Sequence, residues 1–80
     1  MKAIVNIFLK NGVLDSQGKA VQHALSSHGF ESVRDVRVGK QIIIEMTGND
    51  PVVAHESVAH MCEELLANMV IEEYVIEIVA

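Results

Sequence analysis

The sequence has one cysteine, one proline, no tryptophan and only three aromatic residues, Phe8, Phe30 and Tyr74, among its 80 positions. A single cysteine excludes an internal disulfide and suits a reducing compartment. Basic residues are scarce: six Lys+Arg against eleven Asp+Glu leave a net charge of −5. That balance argues against a nucleic-acid or anionic-membrane surface. Long apolar runs are missing too. The one after Met1-Lys2 covers seven residues and is interrupted by Asn6, too short and too strand-like for a signal peptide or a membrane span. The expected location is cytoplasmic. One small domain over residues 1–80 is expected, and it buries only about 60% of its unfolded surface, so a lone copy would be marginal.

What the chain does have is apolar residues, 50% of the total, in clear periods. Between Val33 and Met46, Val36 and Val38 alternate with Asp35 and Arg37. Ile42, Ile44 and Met46 then alternate with Gln41, Ile43 and Glu45. Two period-two runs flanking Gly39-Lys40 predict a β-hairpin with the glycine in the turn. Lys2 to Lys10 is a first strand, with Ala3, Val5, Ile7 and Leu9 on one face and Ile4, Asn6 and Phe8 on the other. Asp15 is placed to cap a helix running to about Ser27 and stopped at His28-Gly29, with Val21, Ala24 and Leu25 as its apolar stripe. Asp50-Pro51 opens a second helix whose stripe is Ala54, Val58, Met61, Cys62 and Leu65, ending near Ala67-Asn68. Ile71 to Val79 is the last strand. The order is β-α-(ββ)-α-β, which predicts an α+β ferredoxin-like βαββαβ sandwich with two helices on one face of a four-stranded antiparallel sheet.

Two features stand out from that frame. Gly18 costs roughly 1 kcal/mol inside a helix relative to alanine. Either the helix packs closely on its own sheet there, or another chain's backbone approaches. The second feature is that two helices cover only one face, yet Ile4, Phe8, Ile43, Val75 and Val79 fall on the other. Leaving most of these in water would forgo roughly 6–12 kcal/mol. An apolar patch of this kind marks an interaction surface, and a homodimer or higher assembly through the open sheet face is the economical solution.

No reactive constellation accompanies this pattern. His55-Glu56-Ser57-Val58-Ala59-His60 is one residue longer than a metalloprotease motif, and two histidines five apart sit about 140° from each other around a helix. Cys62 lies on an apolar stripe and reads as a buried thiol. Arg34, Asp35, Arg37 and Lys40 charge the hairpin, either to keep an edge strand soluble or to meet an acidic partner or a phosphate. No catalytic residue, metal site or cofactor loop is expected on this chain.

The blocks Gly12-Val-Leu-Asp-Ser-Gln-Gly-Lys-Ala-Val21, Val36-Arg-Val-Gly-Lys40, Met61-Cys-Glu-Glu-Leu-Leu-Ala-Asn68 and Val70-Ile-Glu-Glu-Tyr74 resemble the PurS family, the small subunit of phosphoribosylformylglycinamidine synthase. The resemblance spans essentially the whole chain. It implies a homodimeric subunit in de novo purine biosynthesis that bridges a PurQ-like glutaminase and a PurL-like ATP-dependent synthetase and supports ammonia transfer. It also implies that ATP and Mg serve the complex and are not bound by this chain. The partner-facing positions it implies are Asp15, Gln17, Gly18, Arg37, Gly39, Lys40, Asn68 and Glu72, although capping and turn roles account for several of them. Ser16 and Met69 depart from the family pattern, which has proline at both places. The alternative is an ACT-like small-molecule-binding regulatory domain, which shares the βαββαβ order. A metal-carrying domain of this fold would need a cysteine pair between Asn11 and Asp15, and there is none.

Overall fold

The computed structural model describes all 80 residues. Its core is a three-stranded antiparallel sheet of β1 (Lys2–Leu9), β2 (Lys40–Glu45) and β3 (Glu72–Val79), in the order β2-β1-β3. The inward residues of β1, Ala3, Val5 and Ile7, are almost completely buried. Ala3 sits between Ile44 on β2 and Ile78 on β3, and Val5 between Ile42 and Ile76. Over this face lies α2 (Pro51–Met61), capped by Asp50, whose carboxylate accepts the Val52 and Val53 amides. Ala54 and Val58 are its buried residues, and Cys62 just beyond its end is buried too. The helix continues into one wide π turn, Cys62–Leu66. The extra residue of that turn rotates the stripe. Leu66 therefore packs on the core while Leu65 is 83% exposed, reversing the expectation that Leu65 is inside.

The other helix, α1 (Ser16–Ser27), has its expected limits, its Asp15 cap and a left-handed Gly29 just beyond its end. It does not lie on the sheet, however. Val21 is 39% exposed and Ala24 is exposed, so the predicted stripe is not covered by this chain. What α1 packs on is the extended stretch 33–38, which returns alongside it. Gln22 Nε2 donates to the Arg34 carbonyl at 2.9 Å, Lys19 pairs with Asp35 at 3.8 Å, and Gly18 lies against the Val36 carbonyl. Four residues of helix rise about 6 Å, matching two residues of extended chain.

The expected hairpin is therefore corrected. Only its second half is a strand, no backbone hydrogen bond joins 33–38 to Lys40–Glu45, and the sheet of the single chain has three strands, not four. The cause is local. A tight two-residue hairpin turn needs left-handed backbone, and neither Gly39 nor Lys40 has a positive φ. Glycine is required at position 39 for proximity: a Cβ there would lie 2.7 Å from the Ile7 carbonyl oxygen. The chain runs on without reversing, and α1 with 29–38 forms an arm beyond the sheet. The molecule measures 48 × 26 × 14 Å, with a radius of gyration of 16.0 Å, where a compact domain of this length has about 12 Å. It exposes 5725 Å², against about 4,800 Å² for a compact monomer of this mass.

Candidate partner interface

The root of the arm is one side chain. Asp15 is 8% exposed and uses both carboxylate oxygens on backbone amides: Oδ1 accepts from Gly18 at 2.7 Å and Oδ2 from Val38 at 2.8 Å. One oxygen caps α1 and the other ties down the far end of the extended stretch. Arg37 closes the joint, with Nε 3.9 Å from Asp15 Oδ2 and Nη2 donating to the carbonyls of Leu9 and Lys10 at 2.9 and 3.3 Å. The amide bonds from Val38 and Gly18, helped by Arg37 and opposed by burial, hold the Asp15 carboxyl below its ordinary value of 3.8. Because the folded value is the lower one, the charge stabilises the fold at neutral pH. That contribution is lost as pH falls below 3.8 through the folded value. Asp15→Asn keeps one acceptor and loses the other. Its melting temperature is expected to lie below wild type at pH 7 and to converge on it in acid. A gap that stays constant in melts from pH 7 to pH 2.5 would show that the charge contributes nothing.

Beside this joint is a groove of about 400 Å³. Its floor is Ile7–Leu9 of β1, and its walls include Leu14, Asp15, Gln17, Gly39, Lys40 and Glu72. Glu72 Oε1 accepts the Asn68 amide at 2.7 Å, Asn68 Oδ1 accepts the Val70 amide at 3.1 Å, and Lys40 Nζ stands 4.0 Å from Glu72 Oε2. The loop is pinned from the other side by Lys10, whose amide donates to Ile71 O and whose Nζ donates to Met69 O. Residues far apart in sequence, Asp15, Gln17, Gly18, Arg37, Gly39, Lys40, Asn68 and Glu72, thus gather at one end of the sheet. Gly18 is there because its Cβ would strike the Val36 carbonyl. The close approach is by this chain's own backbone, and to the extended stretch rather than to the sheet.

Two residues of this end escaped the periodicity. Leu14 on the groove wall is 74% exposed and Val70 in the adjoining loop is 81% exposed. Apolar residues inside turn segments were the available signal. The open sheet face carries Ile4 and Val79, both half-buried, with Phe8 37%, Ile43 56% and Val75 54% exposed. Ile4 pairs directly with Ile43 across β1 and β2. The groove's carboxylates are engaged locally, Asp15 by two backbone amides and Glu72 by the Asn68 amide. Cys62 lies in the core, where burial and the neighbouring Glu63 push its thiol up. Burial and a hydrogen bond from its hydroxyl to Glu63 at 3.2 Å likewise raise Tyr74. His60 stands 3.7 Å from Glu64, and no three His, Cys, Asp or Glu side chains converge as metal ligands. No helix is long and apolar enough to cross a membrane.

Fold and groove together define a small α+β protein with an open groove at one end of its sheet and apolar side chains on its surface. The PurS family model, described as phosphoribosylformylglycinamidine (FGAM) synthase, matches residues 2–80. The Bacillus subtilis FGAM synthase subunit PurS is 49% identical over 79 residues, covering 96% of this chain and 90% of that protein. The crystal structure of Methanocaldococcus jannaschii PurS, one of the subunits of formylglycinamide ribonucleotide amidotransferase in the purine biosynthetic pathway, superposes with a TM-score of 0.87 at 45% identity, covering 95% and 92% of the two chains. A chain of the PurLQS structure from Thermotoga maritima superposes with a TM-score of 0.86 at 32% identity, covering 95% and 93%. The chain belongs to the PurS family and is the small subunit of an FGAM synthase of purine biosynthesis. These matches favour that reading over the ACT-like alternative.

Proposed function

We propose that this chain, itself without turnover, holds a PurQ-like glutaminase beside a PurL-like synthetase so that ammonia released from glutamine reaches the amidation site. The observation that supports this reading is the likeness to a chain solved within a PurLQS assembly. The groove end carrying Asp15, Gln17, Gly18, Arg37, Gly39, Lys40, Asn68 and Glu72 is the surface offered to those partners, with Leu14 and Val70 as its exposed apolar contacts. ATP and Mg act on the synthetase, in the cytoplasm, and this chain holds neither. Its own copies associate through the open sheet face, where Ile4, Phe8, Ile43, Val75 and Val79 meet their equivalents.

A bridging subunit contributes proximity: it prevents ammonia from escaping and leaves the chemical barrier untouched. Glutaminase and synthetase reconstituted without this chain are therefore expected to lose glutamine-dependent product formation. They should keep most of the rate with high added ammonium. Equal glutamine-dependent rates with and without the chain would overturn the proposal.

A further inference from the structure

Residues 10–15 carry the chain from β1 to α1, and Asn11-Gly12 lies in the middle of that link. Both residues are exposed. One backbone bond closes the turn, from the Val13 amide to the Lys10 carbonyl at 3.2 Å. Neither the Asn11 carboxamide nor the Gly12 amide is hydrogen-bonded within the chain. Gly12 has φ +88°, which glycine adopts without strain, and a Cβ there would meet nothing within 4 Å. The Gly12 nitrogen is therefore unhindered, unengaged and next to an electrophilic side-chain carbonyl. Asparagine is among the thermolabile residues for this reason.

The other three asparagines are protected. Asn6 lies inside β1, and its Oδ1 accepts from Gln41 Nε2 at 2.9 Å. Asn68 Oδ1 accepts the Val70 amide at 3.1 Å. Asn49 is followed by Asp50, so a side chain stands beside the nitrogen that would attack. Gln17 also precedes a glycine, but the Gly18 amide is taken by Asp15 Oδ1 at 2.7 Å.

We propose that Asn11-Gly12 is a self-modification site, where Asn11 passes through a cyclic imide to aspartyl and β-aspartyl forms. The Gly12 nitrogen attacks Asn11 Cγ. A C–N bond forms, the Cγ–Nδ2 bond breaks, and the proton from the Gly12 nitrogen leaves with Nδ2 as ammonia. Water then opens the five-membered imide at either carbonyl. Opening at Cγ leaves ordinary aspartate, and opening at the main-chain carbonyl leaves the backbone running through Cβ and Cγ. In sum, one carboxamide and one water give one carboxylate and one ammonium ion. The reaction needs no partner, so it proceeds in the isolated chain.

Its place in the fold gives it a consequence. On one side Lys10 is fixed: its amide donates to Ile71 O, its Nζ to Met69 O, and its carbonyl accepts Arg37 Nη2. On the other side Asp15 holds both Gly18 of α1 and Val38. The β-linkage inserts one more backbone bond, about 1.5 Å long, between these two anchors. It also adds one negative charge to a chain that already carries −5. The root of the arm should loosen, while the sheet and α2 keep a core to which the arm contributes no residue.

The test is wild-type protein aged warm in mildly alkaline buffer, then cut with trypsin beside a fresh sample. The 11–19 peptide should shift by one charge to the acidic side and divide into two isomers. One of them should accept a methyl group from an isoaspartyl methyltransferase. Asn11→Ser should abolish both signals. A peptide that remains a carboxamide would overturn the proposal, as would equal conversion at Asn6, Asn49 or Asn68. Asn11→Asp carries the charge without the altered linkage. Its amides in residues 16–27 should stay as protected from hydrogen exchange as in fresh protein. In aged wild type that protection should fall while β1 keeps its own. Equal loss in both proteins, or loss in neither, would overturn the link between the altered backbone and the arm.

Discussion

Gly18→Ala is expected to destabilise this protein, although alanine is the better helix former. In an exposed helix the exchange gains about 1 kcal/mol. At position 18 the new methyl would collide with the Val36 carbonyl oxygen and come within 2.8 Å of Asp15 Oδ2. Both obstacles are held in place: Asp15 by its bonds to Gly18 and Val38, and the Val36 stretch by Val38, Gln22 and Lys19. Overpacking of this kind costs roughly 1–3 kcal/mol, which outweighs the propensity gain and reverses the sign. Gly18→Leu should go further and lift α1 off residues 33–38. The sheet and α2 should survive, because none of their core residues lies in the arm. Circular dichroism should then show a folded protein with an earlier melt, and the glutamine-dependent rate in the reconstituted synthase should fall towards that of the mixture without this chain. A more stable Gly18→Ala would mean that the close approach at the arm's root does not constrain the protein.

The sequence displayed local structure well, for physical reasons visible at particular residues. Asp15, Asp50-Pro51 and Gly29 act within a few residues of themselves, so caps and stops appeared where they were expected. Lys2–Leu9 and Glu72–Val79 alternate over eight residues each and pair directly in the sheet. What failed was non-local. Glycine between two alternating runs has two uses, turning the chain and admitting a neighbouring backbone, and the pattern at Gly39 is the same for both. Ile7, thirty-two positions away, decides for the second. The error carried through: without the reversal there is no fourth strand in the chain, and α1 has no sheet to cover. Leu65 failed for a smaller reason, since a π turn cannot be read from apolar spacing that assumes 3.6 residues per turn.

The candidate site was legible in part, and mainly through the family blocks. Capping and turn chemistry pointed to Asp15, Gly39 and Asn68 one at a time. Their convergence on one groove depends on Lys10 reaching Met69 and Ile71, and on Arg37 reaching Leu9 and Lys10. Those contacts join segments 27 to 61 residues apart and leave no periodic trace. The second oxygen of Asp15, which holds the Val38 amide 23 residues away, is the same kind of feature.

Ile7→Ala is expected to cause the largest loss of stability among single truncations. Ile7 is 1% exposed on the central strand, paired with Lys40 on one side and Tyr74 on the other, and it is the largest of the fully buried side chains. Truncating a buried isoleucine to alanine costs about 2–5 kcal/mol through lost transfer energy and the cavity left behind. A chain of this length holds only about 4–12 kcal/mol in total. The melting temperature should therefore drop by roughly 8–40 °C, at about 4–8 °C per kcal/mol for a domain of this size. The damage should spread beyond the core, because Ile7 also lines the groove and its carbonyl is the surface against which Gly39 packs. Phe8→Ala is the internal control. It neighbours Ile7 in the chain but points to the open face at 37% exposure, so its cost to a single copy should be less than half as large. Melts at several protein concentrations separate the two effects, since a loss of association at Phe8 depends on concentration while a cavity at Ile7 does not. Equal shifts for the two variants would mean that the buried side of β1 is not where the stability of this fold resides.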